Sequence, residues 1–116
     1  MSTFDSSGFR DAIENRNAGK LMSYYADDAT VRIIDRSRTP SNPLVMTGKA
    51  AVAAYFDDVC GRAMTHSVEN LIATGDQVAF SENCQYPDGT RVYCGAFLDL
   101  VDGKIVQQSQ VQAWDE

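Results

Sequence analysis

The chain lacks an excess of positive charge and any long apolar run. Its 116 residues carry 10 Lys and Arg against 16 Asp and Glu, which gives a net charge of −6. Affinity for nucleic acid comes largely from basic side chains that neutralise phosphates, so this balance argues against a nucleic-acid partner. No apolar run approaches the roughly 20 residues that a membrane span needs. We therefore expect neither nucleic acid nor a membrane as a partner.

Metal-binding residues are also scarce. His66 is the only histidine, and the three cysteines, Cys60, Cys84 and Cys94, form no CxxC motif. A lone histidine with scattered cysteines does not make a zinc motif, so we expect no metal and no cofactor. Cys84 and Cys94 fall diagonally on neighbouring predicted strands and should remain thiols. Free thiols and the lack of a signal peptide favour the cytoplasm.

Helical spacing is present in the first half of the chain. The first three residues are expected to form a loose end. A cap among Asp5, Ser6 and Ser7 predicts a helix to about Asn15, with Phe9, Ala12 and Ile13 on its buried stripe. The pattern then predicts a second helix from Ala18 to Tyr25, capped by Asn17, and a third from Lys49 to about Arg62.

Strand patterns follow each of these helical stretches. Ala26 to Asp28 predicts an acidic turn before a β-branched strand from Thr30 to Arg36. Pro40 and Pro43 predict a loop from Ser37 to Thr47, long enough to form a lid. After residue 65 the period changes to two, and three Gly-containing turns separate the predicted strands Thr65–Thr74, Gln77–Tyr86, Thr90–Val101 and Lys104–Trp114.

This order predicts an α+β domain over residues 1–116, with helices packed on one face of a curved antiparallel sheet. Long twisted strands curl, so the sheet and helices should enclose a conical space suited to a small hydrophobic molecule. Apolar residues also fall on both parities of the later strands, as at Phe97 and Leu98. A sheet with one solvated face should alternate more cleanly, so we predict a homodimer through the outer sheet face.

Several local strings point to a known family. YADDATV, GKAAVAAYF, a TH pair before a strand, and DGKI before a strand ending in AW resemble the SnoaL-like and ketosteroid-isomerase-like domains of the nuclear transport factor 2-like superfamily. The resemblance covers nearly the whole chain and implies a cone-shaped, cystatin-like roll. It does not fix the chemistry, because the superfamily contains isomerases, cyclases, dehydratases, epoxide hydrolases and non-catalytic modules.

The resemblance can be followed residue by residue. The base, the tyrosine and the protonated acid of ketosteroid isomerases fall at about Ile33, Phe9 and Ala96, which are all apolar. Apolar groups neither accept a proton nor donate to an enolate, so that activity is not expected. Scytalone-dehydratase-like members place a carboxylate and a histidine at about Glu14 and His66. The second histidine of that site has no counterpart, and a tyrosine of the site is replaced by Asp35.

Three residues are therefore the catalytic candidates. His66 is the one side chain whose ordinary pKa suits proton transfer near neutrality, and Asp35 or Glu14 would orient it. Asp35 follows Val31 and Ile33 at period two, which would place it at the mouth of the cone. The structural alternatives are a histidine bonded to backbone at a strand edge, a solvated strand end at Asp35, and a helix-surface charge at Glu14.

The ligand-binding candidates line the same predicted space. By the family comparison Gln108, Gln110 and Gln112 face the cone, where neutral amides would bind carbonyl or hydroxyl groups. An equally weighted alternative is a polar outer face on that strand. The remaining wall candidates are apolar or aromatic and comprise Tyr25, Ile33, Tyr55, Phe56 and Trp114. Glu82 and Asp99 lie inside apolar strands and are expected to face solvent or to pair, for instance with Arg91.

Two hypotheses about function follow. The first is an isomerase, cyclase or dehydratase that acts on a hydrophobic carbonyl or enol compound through His66 and a carboxylate. The second is a binding protein or dimerisation module of the same fold. The enzyme requires an imidazole and a carboxylate within hydrogen-bond reach, both opening into a cavity of some hundreds of Å³.

Overall fold

A computed structural model describes residues 4–115, so the expectation for residues 1–3 lies outside it. Within this range the chain forms three helices and six strands in the order α1 (Ser6–Glu14), α2 (Ala18–Met22), β1 (Tyr25–Ile34), β2 (Leu44–Thr47), α3 (Lys49–Gly61), β3 (Thr65–Thr74), β4 (Gln77–Gln85), β5 (Arg91–Val101) and β6 (Lys104–Trp114). None of these helices has the length and apolar character needed to cross a membrane.

The first two helices begin at side-chain caps, as the sequence predicts. The Asp5 carboxylate accepts a hydrogen bond from the Gly8 amide over 3.0 Å, and the Asn17 amide oxygen accepts one from the Lys20 amide over 3.1 Å. These bonds satisfy backbone donors that the first turn of a helix leaves unpaired. The predicted stripe of Phe9, Ala12 and Ile13 is buried, so α1 is fixed against the sheet by its apolar face.

The strands form one curved, unclosed sheet in the order β2-β1-β6-β5-β4-β3. The α+β class is confirmed, but the sheet is mixed and not wholly antiparallel, because β1 runs parallel to β6. The chain passes through β2, α3 and the β3–β5 meander before β6 returns beside β1. On the concave side, α1 packs against β3, and α3 packs against β1 and β2.

The boundary between α2 and β1 differs from the prediction. Helix α2 ends at Met22, and the extended strand already begins at Tyr25, so Asp27 and Asp28 lie within a strand and not in a turn. Between Tyr25 and Thr30, β1 advances five residues while β6 advances only from Ile105 to Gln107. The strand therefore bulges there, and the bulge lets exposed acidic residues continue in an extended conformation.

The predicted loop from Ser37 to Thr47 also contains a strand. Leu44 to Thr47 forms β2, which pairs antiparallel with β1 from Thr30 to Ile33. Four apolar and β-branched residues after a proline are too few to establish a period, which is why the pattern does not predict this strand. The irregular segment between β1 and β2 is correspondingly shorter than predicted. At its beginning, Asp35 and Arg38 form an isolated antiparallel bridge.

The two faces of the sheet have different environments. Along β5 the even-numbered residues are buried and the odd-numbered residues are mostly exposed. The buried parity joins a core that includes Phe9, Tyr25 and Val68. The exposed parity carries Phe97, which is 63% exposed, and Tyr93. The concave face therefore forms the core and the cavity, while the convex face presents large apolar groups.

Candidate functional site

The helices and the concave face of the sheet enclose a cavity of about 80 Å³. A single water needs at least roughly 10–15 Å³ of such space, and each water in the liquid takes about 30 Å³. The cavity therefore has room for about three waters or a ligand of a few heavy atoms. This volume is smaller than the several hundred Å³ that we expected for the cavity of an enzyme. Its polar lining comprises Arg62, His66, Glu82, Gln108, Gln110 and Gln112, and its aromatic lining includes Tyr25, Tyr55, Phe56 and Trp114.

His66 and Glu82 form the charged centre of this cavity. In the register of β3 and β4, His66 lies opposite Cys84 and Val68 opposite Glu82, so the two side chains are diagonal neighbours on the concave face. His66 Nδ1 is 2.8 Å from Glu82 Oε1, and the two side chains are only 5% and 11% exposed. A carboxylate can only accept, so Nδ1–H is the donor and Nε2 remains the basic nitrogen.

The pairing partner of His66 differs from the predicted ones. Glu82 was expected to face solvent or to pair, for instance with Arg91. It is buried and it does pair, but its partner is His66. Asp99 is exposed as expected and accepts a hydrogen bond from Gln77 over 3.2 Å.

The other two catalytic candidates have different contacts. Glu14 accepts a hydrogen bond from the Val68 amide over 2.8 Å, which ties α1 to β3. Asp35 accepts hydrogen bonds from the Ser37 amide over 2.8 Å and from the Ser37 hydroxyl over 2.9 Å. Both carboxylates thus stabilise local structure, and the carboxylate beside the imidazole is that of Glu82.

Cys84 lies directly beside the pair. Its Sγ is 3.2 Å from His66 Nδ1 and 3.4 Å from Glu82 Oε1. Cys94 lies opposite Glu82 in the β4–β5 register, diagonal to Cys84, and both are free thiols as predicted. The Cys94 thiol, burial and the nearby Glu82 carboxylate raise the pKa of Cys84 far above its usual range. Cys84 is therefore a neutral thiol in this arrangement.

The glutamine row faces the cavity. Tyr25 Oη donates to Gln108 Oε1, and Gln108 Nε2 donates to Gln110 Oε1 over 3.0 Å. Burial raises the pKa of Tyr25 far above its ordinary value, which keeps this phenol neutral and able to donate. Gln112 Nε2 donates to Tyr55 Oη over 3.4 Å, and Gln112 Oε1 accepts from Trp114 Nε1 over 3.1 Å. The glutamine row thus gives the cavity an uncharged polar wall.

Most of the predicted wall residues line the cavity, but Ile33 does not. Tyr25, Tyr55, Phe56 and Trp114 contribute to the lining, whereas Ile33 is completely buried in the core, where α3 packs over β1. The Arg36 guanidinium lies 4.3 Å from the centre of the ring of Trp114, which lines the cavity. A cation over an aromatic face at that distance is attractive and holds the Trp114 ring in place.

This curved sheet, with helices across its concave face and a cavity between them, defines the class of nuclear transport factor 2-like folds. The family model described as SnoaL-like domain matches residues 7–108, and the chain belongs to that family.

Solved structures agree on the fold. A candidate ketosteroid isomerase from Kribbella flavida is 22% identical, with a TM-score of 0.73, over 96% of this chain and 75% of that one. An NTF2-like protein of unknown function from Mesorhizobium loti is 15% identical, with a TM-score of 0.79, over 90% of this chain and 84% of that one. An NTF2-like protein from Burkholderia xenovorans is 17% identical, with a TM-score of 0.78, over 92% of this chain and 78% of that one. These identities establish the fold alone. No curated protein matches the chain.

Glu82 and Cys84 are not among the site residues that the sequence predicts. Both share the parity of the buried Val78 and Phe80 along β4. A carboxylate on the buried parity of a strand needs a compensating partner, and that requirement is the signal that could have identified the site.

Proposed function

We propose that this chain is a small-molecule pocket protein whose His66–Glu82 pair carries out acid–base chemistry on a compact carbonyl or enol compound. The observation that supports the proposal is the 2.8 Å contact between Nδ1 and Oε1 inside the cavity. A buried carboxylate that fixes one imidazole nitrogen leaves the other free to move a proton. The reaction class is isomerisation, cyclisation or dehydration.

The proposed roles follow from the positions of the groups. His66 Nε2 would remove a proton from the carbon next to a carbonyl and return it at another atom, so that no net proton is consumed in an isomerisation. Glu82 would stabilise the intervening imidazolium. Gln110, whose amide oxygen already accepts from Gln108, retains amide hydrogens that could hold the carbonyl oxygen. Low exposure would strengthen these contacts by excluding water.

The size of the cavity favours a compact substrate. The cavity of about 80 Å³ has about half the volume of the roughly 150 Å³ cavity that binds benzene. It therefore fits a ligand of a few heavy atoms, and a ring requires movement of the walls. The lining is mainly aromatic and aliphatic, which favours an apolar body with one or two oxygens. This restricts the expected hydrophobic molecule to short-chain or branched carbonyl compounds, or to a single ring if the walls move.

The test starts with native mass spectrometry of the freshly purified protein, followed by a thermal-shift screen of short-chain, branched and cyclic ketones and enols. For any compound that binds and is converted, Glu82→Gln should lower kcat by about 10²-fold or more, because the imidazolium loses its counter-charge. The matched control is Glu69→Gln, an identical change at an exposed site on β3, which should leave kcat unchanged. Full turnover in both Glu82→Gln and His66→Ala would contradict the proposal.

A ligand-binding protein without catalysis is the second candidate. The internal hydrogen bonds from Tyr25 through Gln108 to Gln110 favour it, because a satisfied amide row can select a ligand without any proton transfer. This candidate predicts saturable binding with no conversion, and binding that survives Glu82→Gln.

We also propose that the chain forms a homodimer through the outer sheet face. Ile72, Phe97 and Val111 are 62%, 63% and 49% exposed, on β3, β5 and β6 respectively. The pairing of Ile72 with Ala79, and of Ala79 with Phe97, places this apolar surface across neighbouring strands. A second copy would remove this surface from water, and large exposed apolar patches usually mark such interaction sites.

We also propose a cytoplasmic location, with which the free thiols agree.

A further inference from the structure

Three different metal-ligand types meet at one point of the cavity wall. The ligand atoms of His66, Glu82 and Cys84 all lie within 4.8 Å of one another. The pairwise distances are 2.8 Å from Nδ1 to Oε1, 3.2 Å from Nδ1 to Sγ, and 3.4 Å from Sγ to Oε1. The three atoms therefore form a compact triangle on the surface of two neighbouring strands.

This triangle has nearly the dimensions of a tetrahedral zinc site. Bonds of about 2.0–2.3 Å at tetrahedral angles place nitrogen, oxygen and sulfur ligands about 3.3–3.6 Å apart. The observed separations would each need to grow by no more than about 0.5 Å, which side-chain rotation can supply. Because β3 and β4 fix the Cα positions by direct pairing, the ligands are held close together before any ion arrives.

The charge balance of the site also fits a divalent ion. Glu82 is buried, and among the ion pairs of residues 4–115 its partner is His66 and no lysine or arginine. A buried carboxylate is costly without a nearby positive charge. One carboxylate and one thiolate together neutralise a divalent ion, and a neutral imidazole completes three protein ligands. Cys94, which pairs with Glu82 in the β4–β5 register, is a further thiol beside the site.

We propose that His66, Glu82 and Cys84 bind a zinc-type divalent ion, with the fourth coordination position open to the cavity. The mixed nitrogen, oxygen and sulfur set suits zinc or cobalt and disfavours magnesium or calcium, which require oxygen ligands. The open position distinguishes this arrangement from a closed four-ligand structural site. The site has no CxxC or HxxH motif that would reveal it in the sequence, because its ligands come from positions 66, 82 and 84 on two strands.

Binding has a definite proton balance. The Cys84 thiol loses its proton to solvent, the imidazole proton moves from Nδ1 to Nε2, and Glu82 binds as the carboxylate. With Nδ1 on the metal and Nε2 protonated, His66 no longer accepts a proton. Metal binding and the acid–base use of His66 therefore exclude each other, and the inference does not depend on the protein being an enzyme.

The test is a cobalt titration of the reduced, chelator-treated protein without any organic ligand. We expect one Co²⁺ per chain, with a thiolate-to-cobalt charge-transfer band and the strong visible bands of a low-coordinate site. Added Zn²⁺ should abolish both, and Mg²⁺ should have no effect. Zn²⁺ should also raise the melting temperature, because an ion that binds only the folded state stabilises it.

Variants show whether the proposed ligands are responsible. Cys84→Ser should remove the charge-transfer band and weaken Zn²⁺ binding by at least about 10-fold. Cys60→Ser is the matched control, since Cys60 also lines the cavity but lies outside the triangle, and should retain the band. Circular dichroism of the metal-free variants checks that each is folded.

Two results would overturn the inference. One is the lack of saturable Co²⁺ or Zn²⁺ binding to the folded, reduced wild-type protein. The other is an unchanged band and affinity in both Cys84→Ser and His66→Ala. Neither result bears on the acid–base proposal, because Cys84→Ser leaves the His66–Glu82 pair in place and turnover is measured separately in metal-free buffer.

Discussion

At the scale of single residues, the cavity depends on polar groups that satisfy one another. Tyr25 is 2% exposed and Gln108 is 2% exposed, so neither reaches bulk water. The phenol hydrogen bond to Gln108 Oε1 therefore replaces the water that the amide would otherwise bind. This bond also fixes the orientation of the amide that donates to Gln110.

Removing the Tyr25 hydroxyl tests this arrangement. Tyr25→Phe should lower the free energy of unfolding by about 1–2 kcal/mol, because Gln108 is left with a buried acceptor and no donor. Tyr93→Phe makes the same change at a residue that is 47% exposed on the outer face, and should stay within about 0.5 kcal/mol of wild type. Urea denaturation measures both, and equal effects at the two positions would refute the account of the amide row.

The candidate site was only partly predictable from the sequence. His66 was proposed because its chemistry is unique in the chain. The glutamine row was proposed because its residues alternate along a predicted strand and the family comparison directs that parity to the cone. The partner of His66 was missed because Glu14 and Asp35 are near the expected places along the chain, whereas pairing between β3 and β4 brings Glu82 nearer in space. Strand register cannot be read from residue types with enough accuracy to choose among three carboxylates.

At the scale of elements, the edge of the sheet at β3 is covered by side chains of α1. β3 is the last strand in the sheet order, so some of its amide and carbonyl groups have no strand partner. Glu14 accepts from the Val68 amide over 2.8 Å, and Arg10 Nη2 donates to the Val68 carbonyl oxygen over 2.7 Å. This pairing protects an edge that would otherwise be open to another strand.

Glu14→Ala should therefore destabilise the protein by about 1–2 kcal/mol, because the Val68 amide loses a charged acceptor. Hydrogen exchange at that amide should accelerate at the same time. Asp11→Ala, an exposed acidic position on the same helix, should change stability by less than about 0.5 kcal/mol. If Glu14→Ala leaves exchange at Val68 unaltered, α1 does not protect the edge through this contact.

The helices and strands were largely predictable where the hydrophobic period extends over many residues or where a capping residue is clear. Strands β3 and β6 have the predicted bounds, and β4 and β5 differ by one residue at one end. The errors lie at the α2–β1 boundary, at β2, and at the end of β1, which was predicted at Arg36 and lies at Ile34. A bulged strand beginning at Tyr25 and a four-residue strand after Pro43 depend on pairing with β6 and β1, which local propensity does not report.

At the scale of the whole molecule, the sheet separates two surfaces with different roles. The concave face carries the cavity, and the convex face carries exposed apolar side chains across β3, β5 and β6. The sequence strings indicated the family and the conical architecture, and the family match confirms the first. They could not indicate the size of the cavity, because that depends on how closely α3 and the aromatic walls approach the sheet.

The dimer proposal is tested by solution mass. Wild-type protein at micromolar concentration should have twice the chain mass by light scattering, and Phe97→Lys should shift it to one chain by placing a charge in the apolar surface. Val45→Lys is the control, because Val45 is 52% exposed on β2 at the opposite edge of the sheet. A wild-type mass of one chain, or a dimer in Phe97→Lys as stable as wild type, would exclude this interface.

The central claim is that the imidazole of His66 donates from Nδ1 to a buried carboxylate inside the cavity. Because the chain has one histidine, its ring nitrogens give unambiguous signals in a ¹⁵N-labelled, metal-free sample. The account predicts a protonated Nδ1 whose hydrogen exchanges slowly and whose signal shifts in Glu82→Gln but not in Glu69→Gln. An unprotonated Nδ1, or ring nitrogen signals that are the same in Glu82→Gln as in wild type, would contradict this claim.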